Sequence, residues 1–169
     1  MAKPPIRTAR PIRTAATAVL TDAAAPRGCT NFKLRRLTRR VSQHYDHLVA
    51  SAGLKTTQYS MLSHIVQLGP IRPGELARRM DMDASTLTRN LQPLVAQGWV
   101  ELGEGSDARS RSVSATAVGR AKRTEAQREW KRAQLALNEK LGADKVAQLH
   151  ALLDDCLAAL NESAGESDE

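Results

Sequence analysis

Five polar side chains fall within eight residues of one short stretch: Ser85, Thr86, Thr88, Arg89 and Gln92, inside DASTLTRNLQPLVAQGWV (residues 83–100). They offer hydroxyls, an amide and one guanidinium, and no carboxylate. Arg and Gln pair bidentately with base edges in the major groove of DNA, and Ser or Thr meets either a base or a phosphate. That chemistry requires a helix to present it. Leu87, Leu91, Leu94 and Val95 supply the opposing apolar stripe at helical spacing. Asp83 suits the N-cap, with Ser85 and Thr86 also able to take up free amides of the first turn. Gly98 ends the helix and Trp99 opens a strand. Asn90 lies nearer the core edge. An ordinary solvated helix face has the same pattern, so the neighbouring elements must decide.

Before this stretch, Pro73 fits the start of a short helix containing Glu75, Leu76, Ala77 and Met80, and Asp81-Met82 makes a brief turn. Two short helices joined tightly, the second with a polar outward face, form a helix-turn-helix. Ile71 and Arg72 suffice only for an edge strand. After it, residues 99–102 read as a strand, GEGSDARSR as a loop and residues 112–116 as the return strand. A hairpin directly after a recognition helix is the wing of a winged helix. Arg109 and Arg111 make its tip basic, and a basic tip can enter the minor groove.

Helices flank this unit. Thr30 or Asn31 can cap one running to about Ser51, with Leu34, Leu37, Val41 and Leu48 at heptad steps and His44 in the gap. Thr56 or Thr57 caps the next, which carries Tyr59, Leu62, Ile65, Val66 and Leu68 and stops at Gly69-Pro70. A long helix runs from Gly119 to about Leu141 with Ala126, Trp130, Ala133 and Leu137 on one stripe. The last carries Val146, Leu149, Leu153, Cys156 and Leu160. These seams exceed what one winged helix buries, which predicts a homodimer built from the first and last helices. The fold class is therefore mainly α with a small β-hairpin wing. The expected organisation is a disordered basic arm (1–28), a domain (29–161) and an acidic tail (162–169). Within the domain, 29–55 and 117–161 dimerise and 56–116 form the winged helix-turn-helix.

The chain has 169 residues, a net charge of +7 and a pI of about 9.9, which favours a polyanionic partner. The charge is uneven: residues 1–28 hold five Lys/Arg and one Asp, and the last nine residues hold four acids and no base. The arm is poor in acids but has no apolar run of a secretion signal, and nothing approaches a membrane span. The expectation is a cytoplasmic protein that does not enter membranes. There is no Gly-rich phosphate loop, no nucleophile triad motif and no framed carboxylate pair, so no enzyme and no cofactor are expected.

Other reactive side chains have bland readings beside sharper ones. His44 and His47 stand three apart, as in a metal site, but nothing completes a ligand set and packing explains them better; no metal is expected. Cys156 sits on a seam as a small apolar residue. Cys29 precedes the first helix, where free amides and the dipole can lower a thiol's pKa, which makes it a redox candidate beside an inert reading.

From about Phe32 to Leu160 the chain resembles the MarR family of bacterial transcription regulators. GLKTTQYSML (53–62) resembles the start of that family's second helix, and ELARRMDMDASTLTRNLQPLVAQGWVE (75–101) resembles its helix-turn-helix. Asp107 to Arg109, followed by Ala115-Thr116 and Gly119, resembles its wing signature. The resemblance implies a homodimer on a palindromic double-stranded DNA operator; the expected role is repression, with promoter geometry deciding between repressor and activator. It makes Asp107 the residue that orients Arg109 at the wing tip. It also implies a small aromatic acid effector between the dimerisation helices and the winged unit, where His44, Tyr59, His64 and Trp130 are the candidates. Some family members sense oxidants through a cysteine near the position of Cys29, which is an alternative regulatory reading. A winged-helix module for protein contact without DNA is the other alternative. Two features depart from the family: Ala115 stands where leucine is common, and Pro93 lies inside the recognition helix, where it should bend or loosen it.

Overall fold

The computed structural model describes residues 27–104 and 111–165. Six helices and one hairpin follow in the order α1 (Thr30–Val49), a short 3-10 turn (Ala50–Ala52), α2 (Thr56–Leu68), α3 (Pro73–Arg79), α4 (Ala84–Ala96), β1 (Val100–Glu104), β2 (Arg111–Ala115), α5 (Ala117–Leu141) and α6 (Ala143–Gly165). The strands pair antiparallel, with Val100 opposite Ala115 and Glu104 opposite Arg111. Ile71 adds a single antiparallel bridge to Val113, the short edge expected of it.

The core gathers where α2, α4 and the hairpin meet. Met61, Leu62, Ile65, Leu76, Leu87, Leu94, Val49, Val100 and Val113 are its largest fully buried side chains. α1 packs on α5 and α2, and α4 packs on α3, β1 and α2. The stripe of α4 is thus the face that seats it: Leu87, Leu91 and Leu94 are buried and Val95 is half-buried. Truncating one such leucine to alanine typically costs about 2–5 kcal/mol, so this seating fixes which way the opposite face looks.

Three helix starts differ from expectation. Cys29, and neither Thr30 nor Asn31, holds the N-cap position of α1. Lys55 holds that of α2, whose first amide, on Thr56, donates to Asp46 Oδ1 at 2.7 Å. An acid from the preceding helix therefore replaces the local threonine cap. α5 begins at Ala117 because Thr116 caps it, its hydroxyl accepting from the Gly119 amide at 3.0 Å.

Gly119 itself is a contact point. A Cβ there would lie 1.9 Å from the Trp99 carbonyl oxygen, so only glycine lets α5 approach the start of the hairpin. Thr116 ties the same place together through its amide on the Trp99 carbonyl and its hydroxyl on the Gly98 carbonyl. Lys122 lies over the Trp99 ring, 5.8 Å from its centroid.

Candidate nucleic-acid interface

On α4 the sequence reading and the geometry agree face for face. Ser85, Thr88, Arg89 and Gln92 are exposed, while Thr86 and Asn90 are half-buried at the margin of the stripe. Asp83 occupies the N-cap position, but its side chain makes no cap bond. The first-turn amides near the exposed face therefore keep capacity for an external acceptor. Thr88 has spent its hydroxyl proton on the Ala84 carbonyl at 2.8 Å, so toward a ligand it offers only lone pairs. Arg89 donates through Nη2 to Thr86 Oγ1 at 3.3 Å, which restrains the guanidinium on the outer face.

Pro93 does not break the helix. α4 continues to Ala96, and the Gln97 amide donates to the Pro93 carbonyl at 3.1 Å. Pro93 is exposed, so its ring meets solvent and not the core. The residue without a bonded amide lies one turn beyond Arg89, on the C-terminal side of Ser85, Thr88 and Arg89.

The hairpin stands next to α4. Thr88 and Gln92 share a cleft of about 500 Å³ with Leu102 and Arg111 of the two strands. Arg111 is exposed at the start of β2. The structure thus brings Thr88, Gln92 and Arg111 to one surface. Asp107 and Arg109 lie outside the described residues.

The next helix inward carries its own ion pairs. Glu75 of α3 accepts from both Arg78 and Arg79, and these two guanidiniums hold its carboxyl below the usual range. That pairing is local and exposed, and one carboxylate against two guanidiniums leaves α3 with a net charge of +1 beside α4.

The four candidate effector contacts do not form a common lining. Tyr59 and Trp130 are stacked, with centroids 5.9 Å apart, and Tyr45 also meets Trp130, with centroids 6.2 Å apart. His44 donates through Nε2 to the Ala133 carbonyl at 2.9 Å. His64 donates through Nδ1 to the Ser60 carbonyl of its own helix. Tyr45 was not singled out by the sequence. It is buried, its hydroxyl donates to Gln134 Oε1, and burial pushes its phenol upward. Its partner is 89 residues away, so no local spacing signals the contact.

A more open apolar cavity, of about 290 Å³, lies between α1, α5 and α6. Leu34, Leu37, Val41, Leu137, Leu149 and Leu153 line it. Further along α6, Leu152, Leu157 and Leu160 are exposed, and so is Cys156. Cys29 is exposed as well, at the opposite end of the described chain. Among the described residues no three His, Cys, Asp or Glu side chains converge as a metal site. No helix among them is long and apolar enough to cross a membrane.

Comparison with known proteins gives a consistent set. Residues 52–110 match the model of the MarR family. The multiple antibiotic resistance protein MarR of Salmonella typhimurium is 34% identical over 130 residues, covering 73% of this chain and 90% of that protein. Among solved structures, the transcriptional regulator MosR of M. tuberculosis, in complex with DNA, aligns with a TM-score of 0.62 at 31% identity, over 76% of this chain and 98% of that one. A mutant MarR from E. coli complexed with operator DNA aligns with a TM-score of 0.69 at 26% identity, over 75% and 92%.

Proposed function

This chain belongs to the MarR family, and we propose that it is a homodimeric, sequence-specific DNA-binding transcription regulator acting as a repressor. One observation carries the reading. A helix seated by three buried leucines presents Ser85, Thr88, Arg89 and Gln92 to solvent, next to a hairpin that brings Arg111 to the same surface. Arg89 and Gln92 supply bidentate pairing to base edges, Ser85 and Thr86 reach phosphate or base, and Thr88 accepts. Asp107 and Arg109 complete the contact at the wing, where an oriented guanidinium reads minor-groove width. The two named relatives solved with DNA have the same fold, which supports this use of it.

The apolar side of α1, α5 and α6 supports the dimer reading. Exposed leucines on α6 run on from the lining of the inter-helix cavity, and a second copy removes that surface from water. The domain division proposed is the one drawn above: terminal helices for assembly, residues 56–116 for DNA. We place an aromatic acid effector at the Tyr59–Trp130 stack, where a ring can substitute for one of the two and His44, from α1, meets α5 three residues on at Ala133. Such a ligand releases DNA only by favouring a dimer shape that misfits the operator. Cys29 as a redox switch rests on its exposure before α1 and on nothing further.

The test uses an operator selected from random duplexes with the purified protein. Arg89→Ala and Arg109→Ala should each weaken binding at fixed salt by roughly 1–3 kcal/mol, a rise in Kd of about 5- to 150-fold, with the dimer intact. For Arg89→Ala the selected sequence should also relax at one position per half-site. Unchanged affinity in both variants removes the proposed interface.

A further inference from the structure

Residues 1–40 carry ten Lys/Arg and one Asp, a net +9, whereas residues 41–169 carry fifteen Lys/Arg and seventeen Asp/Glu, a net −2. The whole positive excess of the chain therefore lies ahead of the winged unit. Half of those ten cations are on α1: Lys33, Arg35, Arg36, Arg39 and Arg40, all exposed. No carboxylate occurs between Asp22 and Asp46 to balance them.

Elsewhere some of the described cations are ion-paired. Arg78 and Arg79 pair with Glu75, Lys122 with Glu125 and Arg132 with Glu129. Among the described residues no ion pair involves any of the five cations of α1. Arg35 and Arg39, and Arg36 and Arg40, are like charges at i and i+4, an arrangement that destabilises a helix left uncovered. A face that opposes its own helix is explained when an anion covers it.

The face has a definite direction. Leu34, Leu37, Val41 and Tyr45 of α1 line the cavity shared with α5 and α6. Helical spacing puts Phe32, Arg36, Arg39, Arg40 and Gln43 on the opposite side, where they form a shallow concavity of their own, and Arg35, one turn before Arg39, flanks it. A second copy that covers the apolar side leaves these arginines in water. They also lie back along α1 from its buried end. The end of α1 at Val49 is buried in the winged core, and Arg40 to Lys33 lie roughly 14–24 Å back along the helix at 1.5 Å per residue.

We propose that the arginine face of α1 is a second nucleic-acid surface, which takes the phosphate backbone of duplex DNA without regard to sequence. The proposal rests on the reading of the chain as a DNA-binding regulator and adds a contact separate from α4 and the wing. Guanidiniums spaced along one helix face match a row of phosphates and read no base edge. Their contribution is carried by release of counterions and therefore varies steeply with salt.

The experiment measures the affinity of the full chain for random-sequence duplex DNA across a salt series. The protein carrying Arg35→Gln, Arg36→Gln, Arg39→Gln and Arg40→Gln together is compared with the parent. Gln keeps helix propensity, so circular dichroism should show unchanged helix and an unchanged or higher melting temperature. The slope of log K against log salt should fall in magnitude by roughly 3–4, about 0.9 per lost phosphate contact. Arg89→Ala should lower it by at most about one. An unchanged slope in the fourfold variant overturns the proposal. If the slope is unchanged and the fourfold variant also loses its dimer in sedimentation, the face serves an acidic surface of a partner copy instead. If the parent itself shows no salt-dependent DNA affinity, the DNA-binding reading fails together with this one.

Discussion

A Cβ at Gly119 would stand 1.9 Å from the Trp99 carbonyl oxygen, so that one missing atom decides how closely α5 lies against the hairpin. Gly119→Ala should cost about 1–3 kcal/mol, because the obstacle is backbone and has no rotamer to give. A lower denaturation midpoint with unchanged cooperativity checks this, and an unshifted midpoint would show that α5 can move away freely. At this scale the outward polar set of α4 was legible, because helical periodicity alone assigns Ser85, Arg89 and Gln92 to the side opposite Leu87, Leu91 and Leu94. Tyr45 and Asp46 were not. Tyr45 meets Gln134, and Asp46 caps α2 from the preceding helix, so their roles depend on packing that no local spacing encodes. The effector candidates come together only in part: Tyr59 stacks on Trp130 and His44 meets α5 at the Ala133 carbonyl, while His64 spends a ring nitrogen on Ser60 of its own helix.

The elements themselves were readable because each carries its own punctuation. Gly53, Gly69-Pro70, Gly98 and Gly142 mark the ends of apolar stripes, and the structure ends helices or turns at each. Asp83 took its expected position without its expected bond, and α1 and α2 start from residues that propensity does not favour as caps. Position is set by where the apolar stripe must begin, and the cap bond is secondary. Pro93 is the element-scale anomaly. It removes one amide from an otherwise regular helix, at a cost in helix interiors of up to about 3 kcal/mol, offset by about 1 kcal/mol from a stiffer unfolded chain. The ring is exposed, beside Lys55, Thr57 and Gln58 at the start of α2, and Pro93→Ala should stabilise the protein by roughly 2 kcal/mol. Chemical denaturation measures the change. A destabilised variant would mean that the proline holds α4 in a shape the rest of the fold requires.

The molecule as a whole separates its charges and its apolar surface by region. Positive excess lies in the first forty residues, acids gather at the end, and an apolar seam runs over α1, α5 and α6. The winged unit between them is close to balanced, so its proposed selectivity rests on placed side chains and not on bulk attraction. The proposed two-fold assembly through that seam would place two copies of α4 on one duplex, with half-sites about one helical turn apart. The most direct test of this account is selection of random duplexes by the purified protein, followed by sedimentation of the complex on the enriched sequence. The expected result is an inverted repeat bound by two chains per duplex. The Leu153→Lys variant, which puts a charge in the seam, should sediment as monomer and lose the enriched site. No enrichment over random duplex, or full affinity from a single chain, would contradict it.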